Sequence, residues 1–172
     1  MATEEPSLSL LQRREIEARI VGPLLRAVAT ELGPEKTLAL ARGVISELAR
    51  QAGADLARHF GEATLEAFAR SIDLWREGGA LEIEMLEQSA ERLSFNVTRC
   101  RYAEMYRALG LADLGSSLSC QRDFSLVEGF NPAVGLTRTQ TLMEGASHCD
   151  FRFVAPVPDG PDRGPSDGCG PV

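Results

Sequence analysis

The hydrophobic period of this chain changes at Gly78-Gly79, and the change constrains the fold more than any other feature. Before it, Leu10, Leu11, Ile16, Ile20, Leu24, Leu25, Val28 and Leu32 recur mostly at three- and four-residue steps. That is the repeat of amphipathic helix. After it, Leu81, Ile83 and Met85 alternate with Glu82 and Glu84, and Leu93, Phe95 and Val97 alternate with Ser94, Asn96 and Thr98. That is the two-residue repeat of strands with one buried and one polar face. A chain that is helical first and stranded later segregates into an α+β arrangement.

The boundaries follow from local signals. The first helix starts at about Leu8, and Gly22-Pro23 predicts a kink or break within it, because proline removes a backbone donor. Gly33-Pro34 closes it, with Pro34 suited to the first turn of a second helix over about Glu35 to Phe60. A third helix covers about Ala63 to Arg76. The two alternating runs form a hairpin with a turn near Ser89-Ala90-Glu91. Helices return at about Tyr102 to Leu109 and Leu114 to Gly129. Strands follow at about Val134 to Met143 and His148 to Ala155, joined around Gly145. The expected fold is an N-terminal helical layer packed on an antiparallel sheet of about four strands, with two helices inserted between strands 2 and 3. Residues 1–155 suit a single domain. Residues 156–172 contain five prolines and four glycines, a composition expected to stay disordered. Cys169 lies there and is given no catalytic role.

Charge and composition narrow the function. Net charge is −7 and the longest basic cluster is the pair Arg13-Arg14, so nucleic acid is not an expected partner. No apolar run approaches a membrane span, and no membrane association is expected. The first residues, MATEEPSLSL, lack the basic and apolar regions of a signal peptide. The expected compartment is the cytosol, where cysteines serve as free thiols, ligands or nucleophiles.

Chemistry-bearing residues concentrate between Asn96 and Phe153. Cys100 ends a strand and precedes a helix, where the dipole favours the thiolate. Tyr102 and Glu104 follow it. Cys120 and Asp123 are three apart on a predicted helix and so are surface neighbours. A carboxylate raises the pKa of an adjacent thiol, so the pair by itself does not make a nucleophile; Asp123 can instead hold a substrate amino group or orient a water. His148, Cys149 and Asp150 are consecutive on a predicted strand. His148 and Asp150 therefore share one face, and Cys149 shares the core face with Phe151 and Phe153. Arg138, in a half-buried strand, needs an acidic partner or an anionic ligand; Glu144 is the candidate partner, a substrate carboxylate the candidate ligand. Cys100, Cys120, Cys149 and His148 also offer a ligand set for a divalent metal, but no Cys-x-x-Cys or His-x-x-x-His spacing accompanies them. No phosphate loop or GxGxxG is present, and no cofactor is expected.

The segments TRCRYAEMYRALGLADLG, LSCQRDF, GFNP and LTRTQTLMEGASHCDFRF, over roughly Leu93 to Val154, resemble the L-2-amino-thiazoline-4-carboxylic acid hydrolase family. The order of Cys120-x-x-Asp123 and the later Cys149-Asp150-Phe151 carries the resemblance. It implies a hydrolase that opens a small cyclic amidine or imine bearing a carboxylate, through a carbon–nitrogen bond. Such a reaction needs attack on an sp² carbon and protonation of the leaving nitrogen. The expected assignment is Cys120 as nucleophile, His148 as proton shuttle, Asp123 or Asp150 as orienting carboxylate, and Cys149 as a further candidate. Arg138, Glu104, Tyr102 and Glu144 are the expected substrate contacts. The partner is a small molecule, and a homo-oligomer is compatible with the chain. The layout also resembles regulatory domains of the 4-vinyl reductase type, in which the same cysteines would bind a small molecule or metal without turnover.

Overall fold

The computed structural model describes residues 8–156. The expectations for residues 157–172, Cys169 included, fall outside them.

Two long helices open the chain, α1 over Leu10–Leu32 and α2 over Pro34–Phe60. Ser9 starts α1 with a capping box: its hydroxyl accepts from the N–H of Gln12, and the Gln12 side chain accepts from the N–H of Ser9. Two otherwise orphaned donors are satisfied this way. Gly33 is the single residue between the helices, at φ 81, a region that disfavours side chains. Of the kink or break expected at Gly22-Pro23, the break does not occur; α1 runs through Pro23. Tertiary packing outweighs the lost donor there. Gly22 is buried, and a Cβ on it would stand 2.6 Å from Leu111, so the bare backbone is what lets Leu111 seat against α1.

The third helix, α3 over Leu65–Arg76, is capped by the Thr64 hydroxyl accepting from Ala67 N–H. A short turn over Glu77–Gly79 places Gly78 and Gly79 at φ 64 and 70 and ends the helical layer. The hairpin follows, β1 over Leu81–Gln88 and β2 over Arg92–Cys100. Next come α4 over Arg101–Ala108, α5 over Ala112–Gly115, a π-helical turn over Ser116–Cys120 and α6 over Arg122–Phe130. Two strands close the sheet, β3 over Gly135–Thr137 and β4 over Cys149–Val154. The order is β1-β2-β4-β3, with every pairing antiparallel. The α+β class and the four-stranded sheet are as expected.

The main core lies between the sheet and α3 with α6. Leu93, Phe95 and Val97 of β2 stand opposite Phe153, Phe151 and Cys149 of β4. Phe95 and Phe151 stack at 5.0 Å, and Phe68 of α3 meets Phe130 of α6 at 5.2 Å. A second core joins α1 and α2 to the inserted helices through Ala18, Ile45, Tyr106, Leu111 and Leu118. Cys100 packs against both cores. The α2–α6 crossing is close because Gly53 and Gly129 face backbone: a Cβ at Gly129 would lie 1.9 Å from the carbonyl of Arg50, and one at Gly53 2.1 Å from that of Leu126.

Three local expectations are corrected. The strand expected over Val134 to Met143 shrinks to Gly135–Thr137, because the Asp150 carboxylate takes the N–H groups of Thr139 and Gln140. The helix expected over Leu114 to Gly129 is broken by the π-helical turn. Met85, expected to face inward, is exposed on β1, where the register slips between Glu82 and Ile83 and again between Met85 and Glu87; bulges re-aim side chains at such edges. Among the described residues, no helix is long and apolar enough to cross a membrane.

Candidate functional site

The end of β2, the π-helical turn, the first turn of α6, the segment after β3 and the start of β4 converge on one cavity of about 110 Å³. Cys100, Cys120, Asp123, Arg138 and Cys149 all line it, together with Tyr102. The three cysteines are free thiols. Five residues from separate positions in the central stretch are thus brought together by the chain reversals around them.

Asp123 and Arg138 are the charged pair of this cavity. The guanidinium donates to the Asp123 carboxylate and, at 3.0 Å, to the carbonyl of Cys120. It also lies 5.0 Å over the rings of Phe124 and Phe151. Arg138 is 5% exposed at its side chain and Asp123 25%, so the pair is largely enclosed, with Asp123 on the cavity lining. Arg138 lies just beyond β3, not within a strand, and its acidic partner is Asp123. The expected pairing with Glu144 is corrected: Glu144 is exposed, accepts from the hydroxyls of Thr141 and Ser116, and lies outside the cavity lining.

Burial pushes the Asp123 carboxyl up to about 6, against the pull of Arg138. That value suits a group that must both take and return a proton near neutrality. The thiols move the other way from reactivity. Burial raises Cys100 to about 11, although the N–H groups of Ala103 and Tyr102 oppose it. The dipole effect expected at this helix start is therefore present but outweighed by desolvation. Burial and then Asp123 raise Cys120, with Arg138 opposing. Burial also raises Cys149, whose Sγ accepts from the N–H of Leu142 at 3.2 Å. The cavity favours protonated thiols.

The remaining expected residues sit elsewhere. His148 is not among the cavity lining; its ring lies against Gln140 and Ser147. Asp150 shares that side of β4, and its oxygens bind Thr139 and Gln140. Burial opposes its ionisation, but these donors outweigh it and hold the carboxyl below its usual range. Asp150 thus fixes the segment that carries Arg138. Glu104 is exposed and paired with Arg99 at 2.8 Å. Tyr102 does line the cavity, and its hydroxyl donates to the carbonyl of Trp75 at 3.4 Å. Among the described residues, no three His, Cys, Asp or Glu side chains are grouped to hold a metal ion.

Two arginines that the sequence did not single out also line the cavity, Arg14 from α1 and Arg122 from α6. Both reach the carboxylate of Glu17, Arg14 at 2.7 Å and Arg122 at 3.0 Å. Arg122 adjoins Asp123 in the sequence, which is the one signal that pointed to it. Arg14 has none, since only folding brings α1 to this wall.

A family model described as L-2-amino-thiazoline-4-carboxylic acid hydrolase matches residues 13–153. The match includes the helical half as well as the central stretch. No curated protein matches the chain. One similar solved structure is a trafficking protein particle complex subunit 3 from Naegleria fowleri covalently bound to palmitic acid. It is 13% identical over 83% of this chain and 94% of that one, with a TM-score of 0.49. Another is the phenol-responsive sensory domain of the transcription activator PoxR with phenol, 15% identical over 78% of this chain and 72% of that one, with a TM-score of 0.45.

Proposed function

The chain belongs to the L-2-amino-thiazoline-4-carboxylic acid hydrolase family, and on that premise we propose that it hydrolyses a carbon–nitrogen bond in a small cyclic amidine bearing a carboxylate. The observation that carries the reading is Asp123, a carboxyl raised to about 6 that lines a cavity with the Arg138 cation paired to it.

In the proposed reaction Asp123 accepts a proton from water as the water oxygen attacks the amidine carbon. A tetrahedral centre forms, carrying the new hydroxyl, and the ring nitrogen becomes the leaving group. Protonated Asp123 returns its proton to that nitrogen as the carbon–nitrogen bond breaks. As the carbonyl forms, the hydroxyl passes its proton through Asp123 to the same nitrogen, so both protons of the water end on the released amine and the other product is a carbamoyl group. One water is consumed and no redox step is needed. Arg138 holds Asp123 in place and has donors beyond the two already engaged, which leaves it able to take the substrate carboxylate. The raised thiols favour water over Cys120 as the nucleophile; Cys100, Cys120 and Cys149 form the cavity wall.

The test is turnover of 2-amino-thiazoline-4-carboxylate by the full chain, followed by the amine released. Activity in the wild type, and a loss of two or more orders of magnitude in Asp123→Asn with the fold retained, is the expected result. Saturable binding of that compound with no product would instead assign the cavity to ligand sensing.

A further inference from the structure

A second and larger cavity, of about 640 Å³, opens along α1 and α2. That volume is within the usual span of small-molecule sites, roughly 300–1,000 Å³. Its walls are aliphatic along most of α1 and α2, with Val21, Leu25 and Val28 on the first helix and Ala41, Val44 and Leu48 on the second. Leu40, Val44 and Leu48 are 55%, 61% and 50% exposed, so a large apolar surface faces solvent here. The lining on α1 runs from Arg14 to Val28, about 21 Å at the helical rise per residue.

The charged lining of this groove gathers at one end. Arg14 and Glu17 come from the start of α1, and Arg122 reaches the same Glu17 from α6. Tyr106 joins them on the lining and bonds to none of the three. Two guanidinium groups share one carboxylate, which leaves one positive charge in excess. Burial, and then Arg14, lower the pKa of Arg122, so an incoming anion would relieve the crowding of like charge. Arg14 and Arg122 also border the small cavity of the candidate active site.

We propose that this groove is a second binding site, for a monoanion with an elongated apolar body, such as an alkyl carboxylate. The charged head sits at Arg14 and Arg122 and the body lies along Val21, Leu25, Val44 and Leu48. An apolar body alone would not account for the excess positive charge at one end. A charged head alone would not account for the uncovered aliphatic wall.

Dodecanoate is the probe, titrated into the full chain by calorimetry below its micelle concentration, with dodecyltrimethylammonium as the control of equal body and opposite charge. The expected result is saturable one-to-one binding of dodecanoate and at least tenfold weaker binding of the cation. Val44→Glu, at an exposed position that spares the core, should weaken dodecanoate at least tenfold. Glu17→Gln keeps one acceptor oxygen for the arginines but removes the opposing charge, so it should tighten binding several-fold at low salt. Equal affinity for the two amphiphiles, or an unchanged affinity in Glu17→Gln, would overturn the assignment of the head. Absence of dodecanoate binding would overturn the site. So would sedimentation showing a dimer that Val44→Glu dissociates, since the groove would then be covered by a second copy. The readout is binding, so it stands or falls separately from turnover in the small cavity.

Discussion

Arg138 donates to Asp123, fifteen residues earlier in the chain, and through this pair the segment after β3 is tied to the first turn of α6. The same guanidinium also takes the carbonyl of Cys120 and stacks over two phenyl rings. Its position is therefore set from several sides, and the charge that faces the cavity is held without waiting for a ligand. Such an arrangement lowers the reorganisation that a charged intermediate would otherwise require.

Arg138→Met should destabilise the fold by ~3 kcal/mol, because it leaves the enclosed Asp123 carboxylate without its cation. Adding Asp123→Asn in the same chain should recover more than half of that loss. Urea unfolding of the two single variants and the double variant measures the coupling. Strictly additive losses would show that the pair does not act as a unit.

The contribution of Asp123 to stability should fall as pH rises from about 4 to about 6. The Asp123 carboxyl is raised from 3.8 to about 6 in the folded chain. Across that window the native state holds a proton that the unfolded state has released, so stability is greatest below it and is lost as pH passes the folded pKa. The size is of order 3 kcal/mol, from ~1.4 kcal/mol for each pH unit of displacement. Comparing urea midpoints of the wild type and Asp123→Asn from pH 4 to pH 7 isolates this group. A difference that stays flat with pH would contradict it. Turnover, if Asp123 is the base, should rise through an apparent pKa near 6.

Cys120→Ala should keep turnover within about tenfold of the wild type, because burial and Asp123 hold the thiol protonated. A covalent mechanism through Cys120 predicts a loss of several orders of magnitude instead. Cys149→Ala should cost stability, not chemistry: it removes the acceptor for the N–H of Leu142, an effect of about 1–2 kcal/mol. Steady-state kinetics and thermal unfolding on both variants distinguish these outcomes.

Gly129→Ala should destabilise by at least ~2 kcal/mol, since the added methyl meets the backbone of Arg50 and the helices must part. α6 also carries Asp123, so activity should fall although the substitution is not in the cavity lining. Differential scanning calorimetry and kinetics check both effects. Unchanged stability would mean that the α2–α6 crossing adjusts without cost.

The amino-acid sequence by itself determined the layout. Helical and two-residue periods are local properties, so the helix-first order, the Leu81-to-Cys100 hairpin and the inward face of Cys149, Phe151 and Phe153 could all be read from neighbouring residues. Alternation also separated His148 and Asp150 from Cys149. Tertiary structure alone decided the charge partners and the thiol chemistry. Arg138 pairs with Asp123 and not Glu144, because the Asp150 carboxylate takes the backbone donors of Thr139 and Gln140 and turns the chain out of the sheet. Arg14 and Arg122 meet at the Glu17 carboxylate, and Arg14 lines the cavity, only because α1 packs against the inserted helices. Cys100 stands at a helix start, as its spacing predicts, yet its thiol is raised, because two cores close over it. Spacing along the chain reports which face a residue shares with its neighbours; the groups that enclose it, and hence its solvation and charge, come from elements the local pattern does not contain.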